Sequence, residues 1–415
     1  MNNNILNFNI LKYKLNNGIK VILNKNKNSY TISNNFYYHV GIKNDKIGIA
    51  NFLEHYIIKK NKNNKNNYNY NKYIINNGGI INSFLTYDGS YFNNIVTKNK
   101  LNSSLYIMSE KFKNLYFKKK YIIDLINKIN IKEKFLLKRS PYINLFHKFI
   151  PKYLFKNHPY KNTITSNIKK LKKYSITNYK KFYNKYYNSN NMIICISGNI
   201  SFKKTKKMIY KHFNNFIINK KNNKKKYKYQ PLNKKISYYK NININIPMGV
   251  LLFKFPNILN KDILIIKFIV YYLNNEYKNL ILKKIKKKNN NIININLKLN
   301  IMEDYSYLII YYLVNNKIYI KPLYNIIYNF FKKLSNKGIS NKKIKIYKRL
   351  IIKKKIMDNL NNYDISINLT NYLALYNDVY FFKKEIKFYK KINKKLLIKI
   401  FKKYFLNKNI ILLND

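Results

Sequence analysis

The sequence predicts an α+β protein of two similar halves, each a sheet covered by helices. Three observations carry this expectation. Short β-rich runs alternate with long segments of helical period, and some of the runs are joined by hairpin turns. A polar, strongly basic stretch over 219–236, NKKNNKKKYKYQPLNKKI, contains Pro231 and has no apolar periodicity, so it reads as a linker dividing the 415-residue chain near its middle. The ends of the two halves are also alike. Residues 182–194 and 400–412 each run from a helix rich in lysine and aromatics, through a short turn with asparagine, into an apolar β-rich run. The expected domains are 1–218 and 237–415, joined by the linker 219–236 and related by internal duplication.

Taken in order, residues 12–24 read as strand, turn and strand around Asn17-Gly18, a strong short hairpin signal. Residues 37–41 read as a further strand. A helix then carries Asn51-Phe52-Leu53-Glu54-His55, followed by a basic Asn/Lys loop at 60–67 and another helix. Residues 80–96 read as two strands joined near Asp88-Gly89. The stretches 101–117 and 121–137 show helical spacing, and 192–197 is an apolar run of buried-strand type.

Composition narrows the function. About 46% of the residues are apolar, so the chain folds despite a formal net charge of +68 from 83 Lys+Arg against 15 Asp+Glu. The charge is nearly all lysine and comes with abundant asparagine, isoleucine and tyrosine, residues that share AT-rich codons. A specific nucleic-acid reader concentrates charge on one face and favours arginine for bidentate contacts, whereas this chain has only Arg139 and Arg349. No specific nucleic acid is therefore expected. The lone Cys195 lies in an apolar run and reads as a buried strand thiol. No apolar run approaches the ~18–20 residues that span a bilayer, so no membrane partner is expected. The first fifteen residues, MNNNILNFNILKYKL, lack a signal-peptide apolar core, and an uncleaved cytoplasmic chain is the expectation.

The chemistry concentrates at residues 51–55. On a helix, Asn51, Glu54 and His55 share one face, because steps of three and four residues return to the same side. A glutamate beside a histidine, one turn past another metal-capable side chain, is how the inverted zinc-peptidase motif H-x-x-E-H is laid out, with asparagine here in the first position.

These residues and their surroundings resemble the pitrilysin/insulinase superfamily of inverted zinc metallopeptidases, nearest to the mitochondrial processing peptidase subunits and their bacterial relatives. The resemblance starts at Leu15-Asn16-Asn17-Gly18-Ile19-Lys20-Val21 and continues through Gly48 to His55 and Gly78-Gly79-Ile80-Ile81-Asn82-Ser83. It includes Asp88 with Ser90, and His158-Pro159 with Ile164, and ends at Tyr187, Asn191-Met192 and Gly198. Six of the nine glycines fall on family positions. The fold implied is α+β, two duplicated α/β sandwich domains of the pitrilysin-like clamshell type.

The resemblance also implies roles. His55 and Glu133 would be zinc ligands, Glu133 lying 78 positions past His55 on a later helix and being one of only six glutamates. Asn51 would be the weak third ligand, an amide oxygen where the family has imidazole. Glu54 would be the general base that takes a proton from water, and Asn82 would contact a peptide substrate added as a strand near 80–84. In the second half the family's Arg/Tyr pair falls on Lys286 and Ile293, so Lys286 is the remaining substrate-binding candidate. Of the other histidines, His39 reads as a structural strand residue, His147 falls too far past Glu133 on its helix to join the ligands, His158 belongs to the family's His-Pro loop, and His212 reads as a surface helix residue. The function implied is a zinc-dependent metalloendopeptidase acting on short or unfolded peptides. It would work as one subunit of a homodimer or of a heterodimer with a related chain. The alternative is a catalytically impaired member serving as a peptide-binding or partner subunit. With so few carboxylates, neutral or acidic peptides are the expected ligands.

Overall fold

The structure is a computed structural model describing residues 8–45, 47–59, 70–113, 115–139, 142–163, 167–218, 227, 232, 235–239, 246–277, 292–406 and 409–414. The loop 60–67, most of the segment 219–236, Pro141, Ile164 and Lys286 lie outside the described residues. The chain divides into two compact units, residues 1–224 with 356–379, and 225–355 with 380–415.

The first unit is built on a six-stranded sheet. Its strands are β1 (Asn9–Lys14), β2 (Lys20–Lys25), β3 (Thr31–Tyr38), β4 (Ile80–Leu85), β5 (Ser90–Thr97) and β6 (Met192–Gly198), in the order β1-β2-β6-β3-β5-β4. The hairpin β1–β2 turns at Asn17-Gly18 as the dipeptide predicts. Gly18 has φ +97°, and a Cβ there would meet Asn190. β2 and β6 run parallel and every other pairing is antiparallel.

The third strand differs from the sequence expectation. It spans Thr31–Tyr38 rather than 37–41, because Ser33-Asn34-Asn35 hide a strand from the apolar pattern. These polar side chains are buried and bonded to the next strand and to the covering helices: Asn34 Nδ2 donates to Asn94 Oδ1 at 2.7 Å and to Ser104 Oγ at 2.9 Å.

One face of this sheet packs on helices α1 (Ile49–Lys59), α3 (Leu101–Lys113) and α4 (Lys119–Arg139), with α2 (Tyr70–Asn76) lying between α1 and β4 in sequence. Phe36, Tyr38, Phe92, Ile194 and Ile196 from the strands meet Phe52, Leu53, Tyr56, Leu105, Met108, Leu125 and Ile126 from the helices. The opposite face is covered by the helix Asn362–Tyr376, although it lies late in the chain. Its Ile365, Leu369 and Leu373, four residues apart, pack on Ile22, Tyr37, Tyr91 and Cys195. Polar contacts fix the register of that helix: Ser366 with Ser33 at 3.0 Å, Thr370 with Asn35 at 2.8 Å, and Asn362 with Ser197 at 3.0 Å. A single cut at 219–236 therefore leaves this helix on the wrong side. Cys195 is buried, as read from its run.

The second unit repeats the plan. Its strands β7 (Lys235–Tyr239), β8 (Met248–Phe255), β9 (Ile292–Ile301), β10 (Ser306–Val314) and β11 (Asn409–Asn414) are ordered β7-β11-β8-β10-β9. β7 and β11 are parallel and the other pairs antiparallel, which is the pattern of β2-β6-β3-β5-β4. β6 and β11, the two strands matched in the sequence repeat, occupy the same place in their sheets. The core of this unit joins Leu251, Phe253, Leu308 and Ile310 to helices Asp262–Tyr272, Ile320–Lys337 and Lys394–Tyr404. No helix among the described residues is long and apolar enough to cross a membrane.

Candidate functional site

The site is organised by α1. Asp45 fixes its start: Oδ1 accepts from Ile47 N at 2.8 Å, and Oδ2 from Gly48 N at 2.7 Å and Ala50 N at 2.9 Å. The Ala50 amide is one that a helix N-terminus leaves without an intrahelical partner, and the Ile47 and Gly48 amides belong to the turn leading into it. Gly48, with φ +102°, lets the chain turn into the helix. Phe52, Leu53, Tyr56 and Ile57 bury one face of α1, with Phe52 against Tyr179 at 4.7 Å and Tyr56 stacked on Phe117 at 5.3 Å. At the far end, buried Lys111 of α3 donates to Ile58 O, holding the last turn. Clamped in this way, α1 presents Asn51, Glu54 and His55 in a fixed direction.

Glu54 is buried, 3% exposed, and its Oε1 accepts a hydrogen bond from Ser83 Oγ on β4. Burial raises the Glu54 pKa; the Ser83 bond and the positive charges of Lys132 and Lys59 act against that rise. His55 is half-buried, and its Nδ1 lies 3.6 Å from Glu54 Oε2, too far for a hydrogen bond. Burial, then Lys132 and Lys59, lower its pKa to about 4, so the imidazole is neutral at pH 7. Asn51 is half-buried one turn before Glu54.

Glu133 is half-buried on α4, which packs against α1, and its neighbour Lys132 is close enough to act on both Glu54 and His55. β4 is the edge of the sheet, paired among the described residues only with β5. Alternation along this strand turns Ser83 toward α1 and places Asn82 on the opposite face. Asn82 is exposed, and its Oδ1 accepts from Ser83 N at 2.9 Å.

The other histidines are structural. His39 follows β3 and its backbone pairs with Asn191. His147 lies in the short segment Leu145–Phe149, separate from α4. His158 Nδ1 accepts from Tyr160 N at 3.1 Å in the turn that Pro159 opens. His212 is not a surface residue: it is 8% exposed, and its Nε2 lies 2.9 Å from Asn102 Oδ1. Its partner on α3 lies more than a hundred residues away and leaves no local signal.

The donor set around α1 does not fit a zinc site. Zinc takes three or four His, Cys or carboxylate ligands, whereas the α1 face offers one imidazole and an amide, with Glu133 on the adjoining α4 as the one carboxylate candidate. No group of three His, Cys, Asp or Glu among the described residues could hold a metal ion. Two ammonium groups, Lys59 and Lys132, also act on the place a dication would occupy. The sequence reading missed four residues that shape the site. Asp45 had a local signal, an acid three residues before Gly48 and the apolar run. Ser83 stood in the sequence only as the end of the stretch 78–83, and Lys59 and Lys132 had no signal, since all three roles come from packing.

Comparison with known proteins agrees with this architecture. The family model described as insulinase (peptidase family M16) matches residues 20–167, and that described as the peptidase M16 inactive domain matches 173–351. The zinc protease PqqE of Helicobacter pylori is 26% identical over 204 residues, covering 48% of this chain and 45% of that protein. The match thus spans less than half of that relative's length. The crystal structure of a protease from Helicobacter pylori superposes with TM-score 0.86 at 20% identity, over 98% of this chain and 99% of that one. Pitrilysin superposes with TM-score 0.78 at 17% identity, over 99% of this chain and 45% of that chain. With both halves matched in order and the paired sheets in place, the chain belongs to peptidase family M16, the insulinase and pitrilysin superfamily.

Proposed function

We propose that this chain is a peptide-binding subunit on the M16 peptidase fold, with zinc-dependent hydrolysis by the chain alone weakened or lost. One observation carries the reading. The helix face that should close a metal site presents a single imidazole and two nearby lysines, while the strand beside it has one edge unpaired among the described residues. An unfolded peptide adds to β4 through main-chain hydrogen bonds, as extended ligands do at exposed sheet edges. The incoming strand takes the Ser83 N–H that Asn82 Oδ1 otherwise occupies, so Asn82 both protects the edge and yields it.

Glu54 and Ser83 favour a second reading, an active zinc endopeptidase completed by a related subunit. A buried carboxylate held by a hydroxyl next to a neutral histidine is the arrangement a general base requires. In that reading the partner supplies what Lys286 and Ile293 do not.

Zinc titration calorimetry on the chain and on Asn51→His separates the two. We expect the natural chain to bind zinc weakly and Asn51→His to bind at least ~100-fold tighter, as restoring an imidazole ligand predicts. Tight zinc binding by the natural chain, with peptide hydrolysis lost in Glu54→Gln, would overturn the first reading in favour of the second.

A further inference from the structure

We propose that the peptide received on β4 is acidic, with Asp or Glu side chains, and that Lys59 and Lys132 select it. This rests on the strand-addition reading above and names its ligand class. Lys59 ends α1, and Lys132 lies on α4 where the two helices pack; both are exposed. Lys59 lies one turn past His55 on the same face of α1, which packs on both α4 and β4, and both lysines act electrostatically on the buried Glu54 and on His55. Ser83 of the β4 edge is bonded to that same Glu54.

The half of α4 beyond Ile129 reinforces this. It has no buried residue, and it carries Lys132, Lys134, Lys138 and Arg139 against the single acid Glu133. Between these charges stand Ile131 and Phe135, 67% and 56% exposed. Steps of three and four residues place Phe135 and Leu136 beside Lys132 on the helix surface. An extended peptide alternates its side chains, so one row can set carboxylates against Lys59 and Lys132 while apolar side chains meet Phe135. A basic peptide faces repulsion at the same points. Lysine is abundant everywhere in the chain, but these two act on the carboxylate that Ser83 of the edge strand holds.

The chain contains no tryptophan, so a single Trp in a peptide reports binding by fluorescence without a charged label. Short extended peptides, acetylated and amidated so that side chains alone carry charge, would be compared with Glu, Gln or Lys at two alternate positions. At about 0.15 M salt, where the Debye length is ~8 Å, only nearby charges discriminate strongly. We expect the Glu peptide to bind about tenfold tighter than the Gln peptide, and the Lys peptide weakest. The double variant Lys59→Glu/Lys132→Glu removes or reverses this order. Lys203→Glu, on the exposed face of the helix Phe202–Phe213, keeps it. Equal binding of Glu and Gln peptides overturns the proposal but leaves strand addition standing. An equal loss of preference in Lys203→Glu also overturns it, assigning selection to the overall charge. Binding of none of the peptides would sink the strand-addition reading, and the proposal with it.

Discussion

Asp45 does more for the site than its distance from Glu54 suggests. Its carboxylate takes three amides at the start of α1, satisfying donors that would otherwise be buried unpaired. Asp45→Ala is expected to cost about 1–2 kcal/mol, read from the urea midpoint, by loss of the cap. Ser83 acts at the other end of the same logic. Burial raises the Glu54 pKa, and the Ser83 hydroxyl opposes the rise by bonding the ionised form. In Ser83→Ala, Glu54 therefore stays protonated to higher pH, and carboxyl carbon NMR of the metal-free protein should show its midpoint move upward. An unmoved midpoint would remove Ser83 from the electrostatics of the site.

Elements are held by pairings of different reach. In the second unit, Glu385 of the helix Phe381–Lys391 is wholly buried. Its Oε1 accepts from Lys267 Nζ at 3.0 Å and Tyr389 OH at 2.9 Å, and its Oε2 faces Lys355 Nζ at 3.0 Å. Burial is the largest single influence and raises its pKa, but the two ammonium groups outweigh it and hold the pKa at about 2. A depressed carboxylate contributes stability above its unfolded pKa of ~4.3, and this is lost as pH falls toward 2. Glu385→Ala leaves two cations facing an empty partner site and is expected to cost about 3–5 kcal/mol in urea unfolding at pH 7. Glu385→Gln should flatten the dependence of stability on pH between about 4 and 2. Little of this network could be read locally, since Lys267, Lys355 and Glu385 are far apart in the chain. The hairpin at Asn17-Gly18, by contrast, was readable, because its turn depends on two adjacent residues.

At the scale of the molecule, two features dominate: the duplication and the charge. The same strand order in both sheets accounts for the resemblance between 182–194 and 400–412, whose β6 and β11 fill equivalent places. A net charge of +68 repels itself in the compact state, and added salt screens that repulsion. Stability is therefore expected to rise from low salt to about 0.5 M NaCl, measured by thermal unfolding at constant pH. A flat or falling curve would mean that the folded protein is no more strained by its charge than the unfolded chain is.

What the sequence determined by itself was local or periodic. The shared face of Asn51, Glu54 and His55 follows from helical spacing, the buried β6 from an unbroken apolar run, and the family from motifs kept in order. Where a strand was polar, as at Ser33-Asn34-Asn35, periodicity failed, because hydrogen bonds to the next strand and to the covering helices replaced the apolar signal. The tertiary structure alone decided which distant groups meet. It set Ser83 against Glu54, brought Lys132 of α4 beside His55, buried His212 against Asn102, and laid the helix Asn362–Tyr376 on the first sheet. Each of these depends on the directions in which packed faces aim their side chains, a property of the assembled layers rather than of any stretch of chain.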